Sequence, residues 1–398
     1  MERETLINLE KTDFIQVYSR LPIVVERAEG CRVWDVNGTS YLDFLGGIAV
    51  NVLGHSHPKI IEKINEQSRR YLHLSNYFYQ DAQINFVHKL LQVTNYDRAF
   101  LSNSGTESME GAIKLVRKWG KLHNKHQIIA FTNAFHGRTY GALSLMNKPA
   151  YKEDMGPFLP NVQIIPYNSP EDLIANLNLD TGGVFLEFIQ GEGGISSVSQ
   201  EFVNILKELR DKNNFLIVAD EIQSGIGRTG KFFAFEHFDI VPDIVTVSKG
   251  LGGGLPLGAI LIKEHLANVF NKSQHGTTFG GNALSCAVGE VVLDELKSGL
   301  MTQVSEKGNY FKSELMKIKQ EFPNLVIEVR GLGLMLGLVL KFEAKRLLDK
   351  LLEKRIIANA TNTNVLRIVP PLIISKEDID EFIQGVRDSL NELKIEIN

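Results

Sequence analysis

Side chains that could do chemistry follow several short apolar runs in the middle of the chain. Five such runs end in polar segments, which are residues 102–106, 135–138, 190–194, 220–223 and 248–249. Continuous apolar runs of this length favour strands that are covered on both faces. Because ligands of open α/β sheets bind beyond the carboxyl ends of the strands, we expect these segments to form one site.

An amine and a carboxylate occupy two of these strand ends. Lys249 follows Ile-Val-Thr-Val-Ser and precedes Gly-Leu-Gly-Gly-Gly. Its position, not its residue type, suggests a nucleophile, because burial lowers the pKa of an amine. Asp220 follows Leu-Ile-Val-Ala, so it should be poorly solvated and need a cationic partner. That partner is either an arginine in a structural ion pair or the protonated ring nitrogen of a pyridoxal cofactor.

Ser104, Gly105 and Thr106 begin a segment with helical spacing of its apolar residues, which are Met109, Ala112, Ile113 and Val116. The free N–H groups and the dipole of a helix N-terminus favour binding of a phosphate. Ser and Thr are also common helix caps, so the motif alone favours the cap over the phosphate site.

Arg138 and Arg367 are candidate carboxylate clamps, because a guanidinium group binds a carboxylate through two hydrogen bonds. Most arginines are surface charges, so this interpretation depends on the neighbouring motifs. His136 has no second ligand at zinc-like spacing, and we interpret it as structural. We expect no metal site.

The bulk composition excludes several classes of protein. Of the 398 residues, 43 are Lys or Arg and 47 are Asp or Glu, so no basic surface for nucleic acid or anionic membrane is indicated. The two cysteines, Cys31 and Cys286, cannot form a disulfide framework and favour a reducing compartment. The first residues lack the apolar core of a signal peptide, and the apolar run 332–340 is too short to span a bilayer. We expect a cytoplasmic protein.

The alternation of strand and helix patterns predicts an α/β fold. The strand candidates are residues 98–101, 127–131, 162–165, 184–189, 215–219, 244–247 and 259–262. Helical patterns between them favour a mostly parallel sheet. After about residue 290 the pattern changes to a smaller α+β unit, which the first fifty residues should join. The predicted domains are therefore 1–55 and 291–398, forming a small domain, and 56–290, forming a large one.

Ordered motifs over nearly the whole chain resemble the class III aminotransferases, which transfer ω-amino groups using pyridoxal 5'-phosphate (PLP). The motifs are residues 43–51, 102–107, 135–139, 190–194, 220–223, 227–230, 248–254, 275–282 and 367–371. The resemblance implies the PLP-dependent transferase fold type I. It has a large domain with a mainly parallel, seven-stranded sheet and a small α+β domain built from both termini.

The resemblance also implies a role for each matching residue. Lys249 would be the catalytic lysine that forms the Schiff base with PLP, and Asp220 would pair with the pyridine nitrogen. The other implied cofactor contacts are Ser104, Gly105 and Thr106 at the phosphate, Phe135 on the ring, Gln223 near the ring hydroxyl, and Thr278 lent by a neighbouring subunit. A homodimer with shared active sites follows. The implied substrate contacts are Arg138 with Thr277 nearby, Arg367, and Glu192 as a movable partner of Arg367.

Within the class, residues 47–55 and 73–76 most resemble the branch that acts on N-acetylornithine with 2-oxoglutarate as acceptor, a step of arginine biosynthesis. Glu187-Phe188 and Ser108-Met109 depart from the pattern of the family, and we expect neither pair to contact the chemistry. These departures leave open succinylornithine, acyl-lysine, ornithine or 4-aminobutyrate as donors, and also an aminomutase. A noncatalytic or nicotinamide-binding protein is the third class considered.

Overall fold

The structure is a computed structural model that describes residues 3–397. Its helices are α1 (Arg3–Asp13), α2 (Gly46–Ala49), α3 (Pro58–Ser68), α4 (Asp81–Thr94), α5 (Gly105–Leu122), α6 (Tyr140–Ser144), α7 (Pro170–Asn176), α8 (Gln200–Asn213), α9 (Ala283–Glu295), α10 (Met301–Glu321), α11 (Ala344–Glu353) and α12 (Lys376–Ile397). Its strands are β1 (Val25–Glu29), β2 (Arg32–Asp35), β3 (Ser40–Asp43), β4 (Arg98–Ser102), β5 (Gln127–Phe131), β6 (Val162–Ile165), β7 (Thr181–Leu186), β8 (Ile189–Gln190), β9 (Ser196–Ser197), β10 (Leu216–Asp220), β11 (Ile244–Val247), β12 (Gly258–Ile262), β13 (Val326–Leu332), β14 (Met335–Leu340), β15 (Ile356–Ile357), β16 (Asn359–Thr361) and β17 (Val365–Ile368).

Within residues 3–397, a seven-stranded sheet has the order β4-β12-β11-β10-β7-β5-β6. β7, β10, β11, β5 and β6 pair in parallel, whereas β12 runs antiparallel to both β11 and β4. The predicted mainly parallel, seven-stranded α/β sheet is thereby confirmed. The predicted strand 184–189 is shifted, because β7 already begins at Thr181 and ends at Leu186.

Both faces of this sheet are buried, as continuous apolar strands require. In β10, Ile217 and Ala219 pack into one hydrophobic core, whereas Leu216 and Val218 pack into the other. Successive side chains of a strand point to opposite faces, so one apolar strand contributes to two cores. The polar residue that ends the strand, Asp220, is therefore reached only at the carboxyl edge of the sheet.

The two ends of the chain meet in a smaller unit. β3 pairs in parallel with β15, and Phe44 stacks on Phe382 of α12 with 4.0 Å between the ring centroids. This pairing supports the predicted small domain from residues 1–55 and 291–398, whose boundaries stay a prediction. The predicted boundary at residue 290 lies inside α9, so a continuous helix crosses it.

Two expectations about the environment of the chain bear on described residues. Within residues 3–397, no helix is both long enough and apolar enough to cross a membrane. Cys31 and Cys286 are free and buried, and burial raises the pKa of each thiol to about 12. Thiols with such a high pKa are unreactive near neutral pH.

Phe44→Ala should test how the chain ends are joined. Phe44 is fully buried between Phe311 and Phe382, so the cavity left by its removal should lower the free energy of unfolding by about 3–5 kcal/mol. Urea unfolding followed by circular dichroism measures this loss. The control is Leu122→Ala, an exposed position at the end of α5 that should change stability by less than about 0.5 kcal/mol. Equal stabilities of the two variants would contradict the packing argument.

Candidate active site

A cavity of about 440 Å³ opens at the carboxyl edge of the seven-stranded sheet. It is lined by Val50, Asn103, Ser104, Gly105, Thr106, Phe135, His136, Gly137, Arg138, Glu187, Asp220, Ile222, Gln223, Ser248, Lys249 and residues 254–257. Four of the five polar segments singled out in the sequence therefore meet here. The fifth, residues 190–194, contacts the same region through Glu192, which pairs with Arg367, a neighbour of Gln223.

Lys249 follows β11 and carries a strained backbone, with a φ of 47° in the left-handed region. Loss of hydration lowers the pKa of its amine to about 8, and the charge of Arg367 acts in the same direction. The negative charges of Glu192 and Asp220 oppose this shift. A substantial fraction of the amine is therefore neutral, and hence nucleophilic, near physiological pH.

Asp220 ends β10 and is almost fully buried beside His136. Its Oδ2 lies 2.7 Å from Nδ1 of His136, and its Oδ1 accepts a hydrogen bond from the N–H of Ile222 at 3.1 Å. Burial alone would lower the pKa of His136, but the hydrogen bond and the charge of Asp220 outweigh it and raise that pKa. The protein partner of Asp220 is thus His136, and the alternative of an arginine ion pair is wrong.

The sequence patterns do not assign Glu187 to the site, but the structure places it in the cavity wall. Its carboxylate accepts hydrogen bonds from the N–H groups of Phe135, at 2.9 Å, and Gly191, at 3.2 Å. Burial raises its pKa to about 7. The expectation that residues 187–188 lie away from the chemistry is therefore wrong for Glu187. A carboxylate within the apolar run Val-Phe-Leu-Glu-Phe-Ile was the available signal.

The N-terminus of α5 opens onto the cavity. Ser104 caps it by accepting a hydrogen bond from the N–H of Glu107 at 3.4 Å, so the helix-cap interpretation holds. The N–H groups of Gly105 and Thr106 belong to the first turn, which has no preceding helical acceptors. A Cβ atom at Gly105 would lie 2.7 Å from the Cδ1 atom of Ile222, so a larger residue here would have to displace that side chain. This turn can bind an anion as well as cap the helix.

Ser108 contacts the residues that precede this first turn of α5. Its buried hydroxyl lies 2.7 Å from Oγ of Ser102 and donates to the carbonyl of Ser104 at 3.2 Å. Met109 is fully buried in the core next to the sheet. Neither side chain lines the cavity, but Ser108 touches the segment that does, so its departure from the family pattern bears on the position of that segment.

Arg367 and Glu192, from distant parts of the sequence, are in contact. Nη1 of Arg367 donates to Oε1 of Glu192 and, at 3.3 Å, to Oε1 of Gln223, while Nε donates to Oδ1 of Asn359 at 3.1 Å. Arg367 is only 2% exposed, whereas Glu192 is partly exposed. The guanidinium group is thus held by neighbours inside the protein, whereas the carboxylate of Glu192 is partly open to solvent.

Arg138 lies at the exposed side of the cavity. Its guanidinium carbon is 3.6 Å from the ring centroid of Tyr151 and 5.6 Å from that of Phe135. Among the described residues, no carboxylate forms an ion pair with it. The guanidinium group is therefore positioned by aromatic rings and remains available to an incoming anion.

Thr277 and Thr278 do not line this cavity, and neither do Glu192 and Arg367, which adjoin it through Gln223. Oγ1 of Thr277 accepts hydrogen bonds at 3.2 Å from Nδ2 of Asn103 and from the N–H of Gly280, which places it behind the cavity wall. Thr278 is exposed. Their implied roles, above all that of Thr278 toward a second subunit, stay predictions.

The turn α2 closes the cavity from the side of the small unit and was also missed. Gly46, Gly47, Ile48 and Ala49 all have positive φ angles, between 54° and 65°. For a β-branched residue such as Ile48 this conformation is strained, at about 1–3 kcal/mol. Asp43 stabilises the start of the turn by accepting hydrogen bonds from the N–H groups of Leu45 and Gly46, and Val50, which follows the turn, lines the cavity.

Comparisons with known proteins identify the class of this chain. Residues 15–390 match the family model of the class III aminotransferases. The chain belongs to this family and is a PLP-dependent transaminase.

Within residues 3–397, no group of His, Cys, Asp or Glu side chains is arranged to hold a metal ion.

Three similar proteins locate the chain within the family. It is 42% identical to an acetylornithine aminotransferase of Methanocaldococcus jannaschii, over 99% of this chain and 100% of the relative. The crystal structure of acetylornithine aminotransferase from Elizabethkingia anophelis has a TM-score of 0.88 and 35% identity, covering 98% of this chain and 99% of that one. An ornithine aminotransferase of Toxoplasma gondii, with partial occupancy of PLP at its active site, has a TM-score of 0.94 and 30% identity, covering 99% of this chain and 95% of that one.

The residues in the cavity fit PLP group by group. Lys249 offers an amine for the aldehyde, and the buried Asp220 offers a negative charge for the ring nitrogen. The first turn of α5 offers N–H groups for the phosphate. Phe135 and Ile222 supply apolar walls for a flat ring.

The reactivity of Lys249 toward PLP should depend on pH with a midpoint near 8. Above its pKa of about 8 the amine is neutral and attacks the aldehyde, so attachment should accelerate as the pH rises from 6 to 9. Stopped-flow absorbance after mixing the cofactor-free protein with PLP measures the rate. Glu192→Gln removes a negative charge that raises this pKa and should move the midpoint to lower pH. A midpoint near 10 for both proteins would contradict the burial argument.

Proposed function

We propose that this protein transfers the ω-amino group of N-acetylornithine to 2-oxoglutarate, giving N-acetylglutamate semialdehyde and glutamate. The contact between Glu192 and Arg367 beside Lys249 is the observation that carries the proposal, because it suits a site used by two unlike substrates. The similar proteins named acetylornithine aminotransferase support it. The reaction would serve arginine biosynthesis in the cytoplasm, to which the two free, buried cysteines are suited.

Lys249 and Asp220 are the proposed catalytic residues. Bound PLP supplies an aldehyde and an electron-withdrawing ring that stabilises negative charge on the reacting carbon of the substrate. With a pKa of about 8, Nζ of Lys249 can accept a proton from that carbon and return it in the next step. Asp220 is held by His136 and Ile222 so that its carboxylate faces the cavity, where its charge favours a protonated ring nitrogen.

The remaining proposed contacts would each bind a different part of PLP. Ser104, Gly105 and Thr106 would bind the phosphate, and Phe135 would cover the ring. Gln223 would lie near the ring hydroxyl while its own Oε1 accepts from Arg367. Because Ser104 caps α5 and the buried Gln223 is hydrogen-bonded to Arg367, the cofactor would meet a site that is partly ordered.

Two substrates can share the site if the carboxylates use different arginines. The ω-amine of acetylornithine reacts far from its own carboxylate, which can reach only the distal Arg138. Glutamate reacts through its α-amine, so its α-carboxylate lies beside the cofactor and needs Arg367, while its second carboxylate binds Arg138. Glu192 would neutralise Arg367 when acetylornithine is bound and swing aside for glutamate.

A homodimer would complete the site. The segment 72–79 exposes several large apolar side chains, namely Leu72, Leu74, Tyr77, Phe78 and Tyr79. It packs against the segment that carries Thr277 and Thr278, with Asn76 donating to the carbonyl of Thr277 at 3.2 Å. Contiguous exposed apolar surface of this kind favours an interface. A second copy of the chain on this surface would bring the partner's Thr278 toward the phosphate.

A panel of amino donors with 2-oxoglutarate as acceptor should test the substrate. We expect kcat/KM to be highest for N-acetylornithine, above succinylornithine, ornithine, acetyl-lysine and 4-aminobutyrate. Formation of glutamate in a coupled assay measures each rate. Lys249→Ala is the control for background chemistry and should show no turnover with any donor. A higher kcat/KM with another donor would replace acetylornithine by that donor.

Arg367→Ala and Glu192→Gln should affect opposite halves of the reaction. Loss of a charge-assisted pair removes about 1.5–3 kcal/mol, or roughly ten- to a hundredfold in rate. Arg367→Ala should therefore slow the glutamate half-reaction by about this factor and largely spare the acetylornithine one. Glu192→Gln should weaken the acetylornithine half-reaction most.

Single-turnover absorbance changes of the bound cofactor, with each donor supplied separately, measure the two half-reactions. The cofactor content of both variants should equal that of the wild-type protein. Equal losses in both half-reactions for both variants would mean that Glu192 does not switch between two states.

A further inference from the structure

Tyr151 packs directly against the proposed substrate clamp. It ends the short turn Pro149–Tyr151, and its ring centroid lies 3.6 Å from the guanidinium carbon of Arg138. Phe135 meets the same ring edge-on, with centroids 6.1 Å apart and an interplanar angle of 87°. Nζ of Lys148 lies 4.7 Å from the centroid and donates to the hydroxyl of Tyr151 at 3.2 Å. The ring is thus the common neighbour of the clamp and of the side chain expected to cover the cofactor.

An exposed arginine is a poor clamp unless something restricts it. Its long side chain samples many rotamers, and binding a carboxylate requires one of them, which costs entropy. Arg138 is exposed, and no carboxylate among the described residues pairs with it. The short distance to Tyr151 indicates that the ring selects the conformation that the clamp needs before any substrate arrives.

Stacking on a ring leaves the binding edge of a guanidinium group free. The face of the group meets the aromatic electrons, whereas its N–H donors lie in its plane and point away from the ring. A carboxylate as partner would have occupied those donors instead. An aromatic neighbour therefore restrains Arg138 without competing with the substrate.

We propose that Tyr151 is a positioning residue that holds Arg138 ready for the carboxylate of the substrate through ring stacking. The inference rests on the proposed role of Arg138 as the distal clamp. It predicts a role for the ring and not for the hydroxyl group, since the hydroxyl contacts Lys148. It also predicts that both substrates depend on Tyr151, because acetylornithine and glutamate would each place a carboxylate on Arg138.

Two substitutions at one position separate the ring from the hydroxyl. Tyr151→Leu removes the ring and should raise the apparent dissociation constant of acetylornithine and of glutamate by about two- to fivefold, the factor of an exposed cation–π contact. Tyr151→Phe keeps the ring and should bind both as the wild-type protein does. The limiting single-turnover rate should change little in either variant, because Lys249 and Asp220 are not displaced.

A donor without a carboxylate distinguishes positioning of the clamp from general damage. N-acetyl-1,4-diaminobutane has the same chain and amine as acetylornithine but lacks the carboxylate that Arg138 would bind. Tyr151→Leu should leave its apparent dissociation constant unchanged, and equal melting temperatures should show that the variant is folded. Weaker binding of this donor by the same factor would overturn the inference, as would equal losses in Tyr151→Leu and Tyr151→Phe.

The Arg138→Ala background separates this inference from the proposed function. If the ring acts through the clamp, adding Tyr151→Leu to Arg138→Ala should cause no further loss of acetylornithine binding. A further loss of two- to fivefold would overturn the inference. If Arg138→Ala weakens binding but Tyr151→Leu does not, only the inference fails. If Arg138→Ala itself binds acetylornithine normally, the proposed clamp is wrong and the inference fails with it.

Discussion

Burial of charged side chains at the carboxyl edge of one sheet is the constraint on which the site depends. Moving a single ion into a protein interior costs several kcal/mol unless other groups compensate. Here two pairs of opposite charge compensate each other, His136–Asp220 and Glu192–Arg367. Among the described residues, Lys249 and Glu187 lack such an ion pair, and burial lowers the pKa of Lys249 to about 8 and raises that of Glu187 to about 7. For Lys249, the lowered pKa favours the neutral form that the proposed chemistry needs.

The compensation of these buried charges requires residues from both ends of the chain. Arg367 lies on β17 in the C-terminal part, and Val50 follows β3 in the N-terminal part, yet both face groups of the large sheet. The pairing of β3 with β15 and the stack of Phe44 on Phe382 fix these two parts to each other. A polar site near the sheet is therefore supported by apolar packing in the smaller unit.

The sequence predicts most of the sheet and the centre of the site for a common reason. The ends of continuous apolar strands such as β10 and β11 can be recognised in the sequence, so Asp220, which ends β10, and Lys249, which lies just beyond β11, can be assigned to one edge. Partners that come from elsewhere carry no such local signal. Spacing cannot reveal that His136 contacts Asp220, and the sequence alone indicates only a structural role for this histidine.

Backbone geometry explains why other parts of the site cannot be predicted from the sequence. The left-handed turn that presents Val50 contains Ile48, whose type argues against a positive φ, so local preference points away from what tertiary contacts impose. The stack of Tyr151 on Arg138 joins residues thirteen positions apart through irregular backbone, which has no periodicity to reveal it. Thr278 lies outside the cavity of its own chain, so its implied role toward a second subunit stays a prediction.

The electrostatics of the site suggest why an acid, and not a neutral group, should pair with Arg367. The charge of Arg367 lowers the pKa of Lys249, and the charge of Glu192 raises it. If Glu192 left without replacement, the pKa of Lys249 would fall further and Arg367 would remain buried without a counterion. In the proposed reaction, the α-carboxylate of glutamate would bring the same charge to the same guanidinium group. The exchange of one carboxylate for another would therefore keep the net charge around Lys249 constant, so that one amine could serve both half-reactions at the same pH.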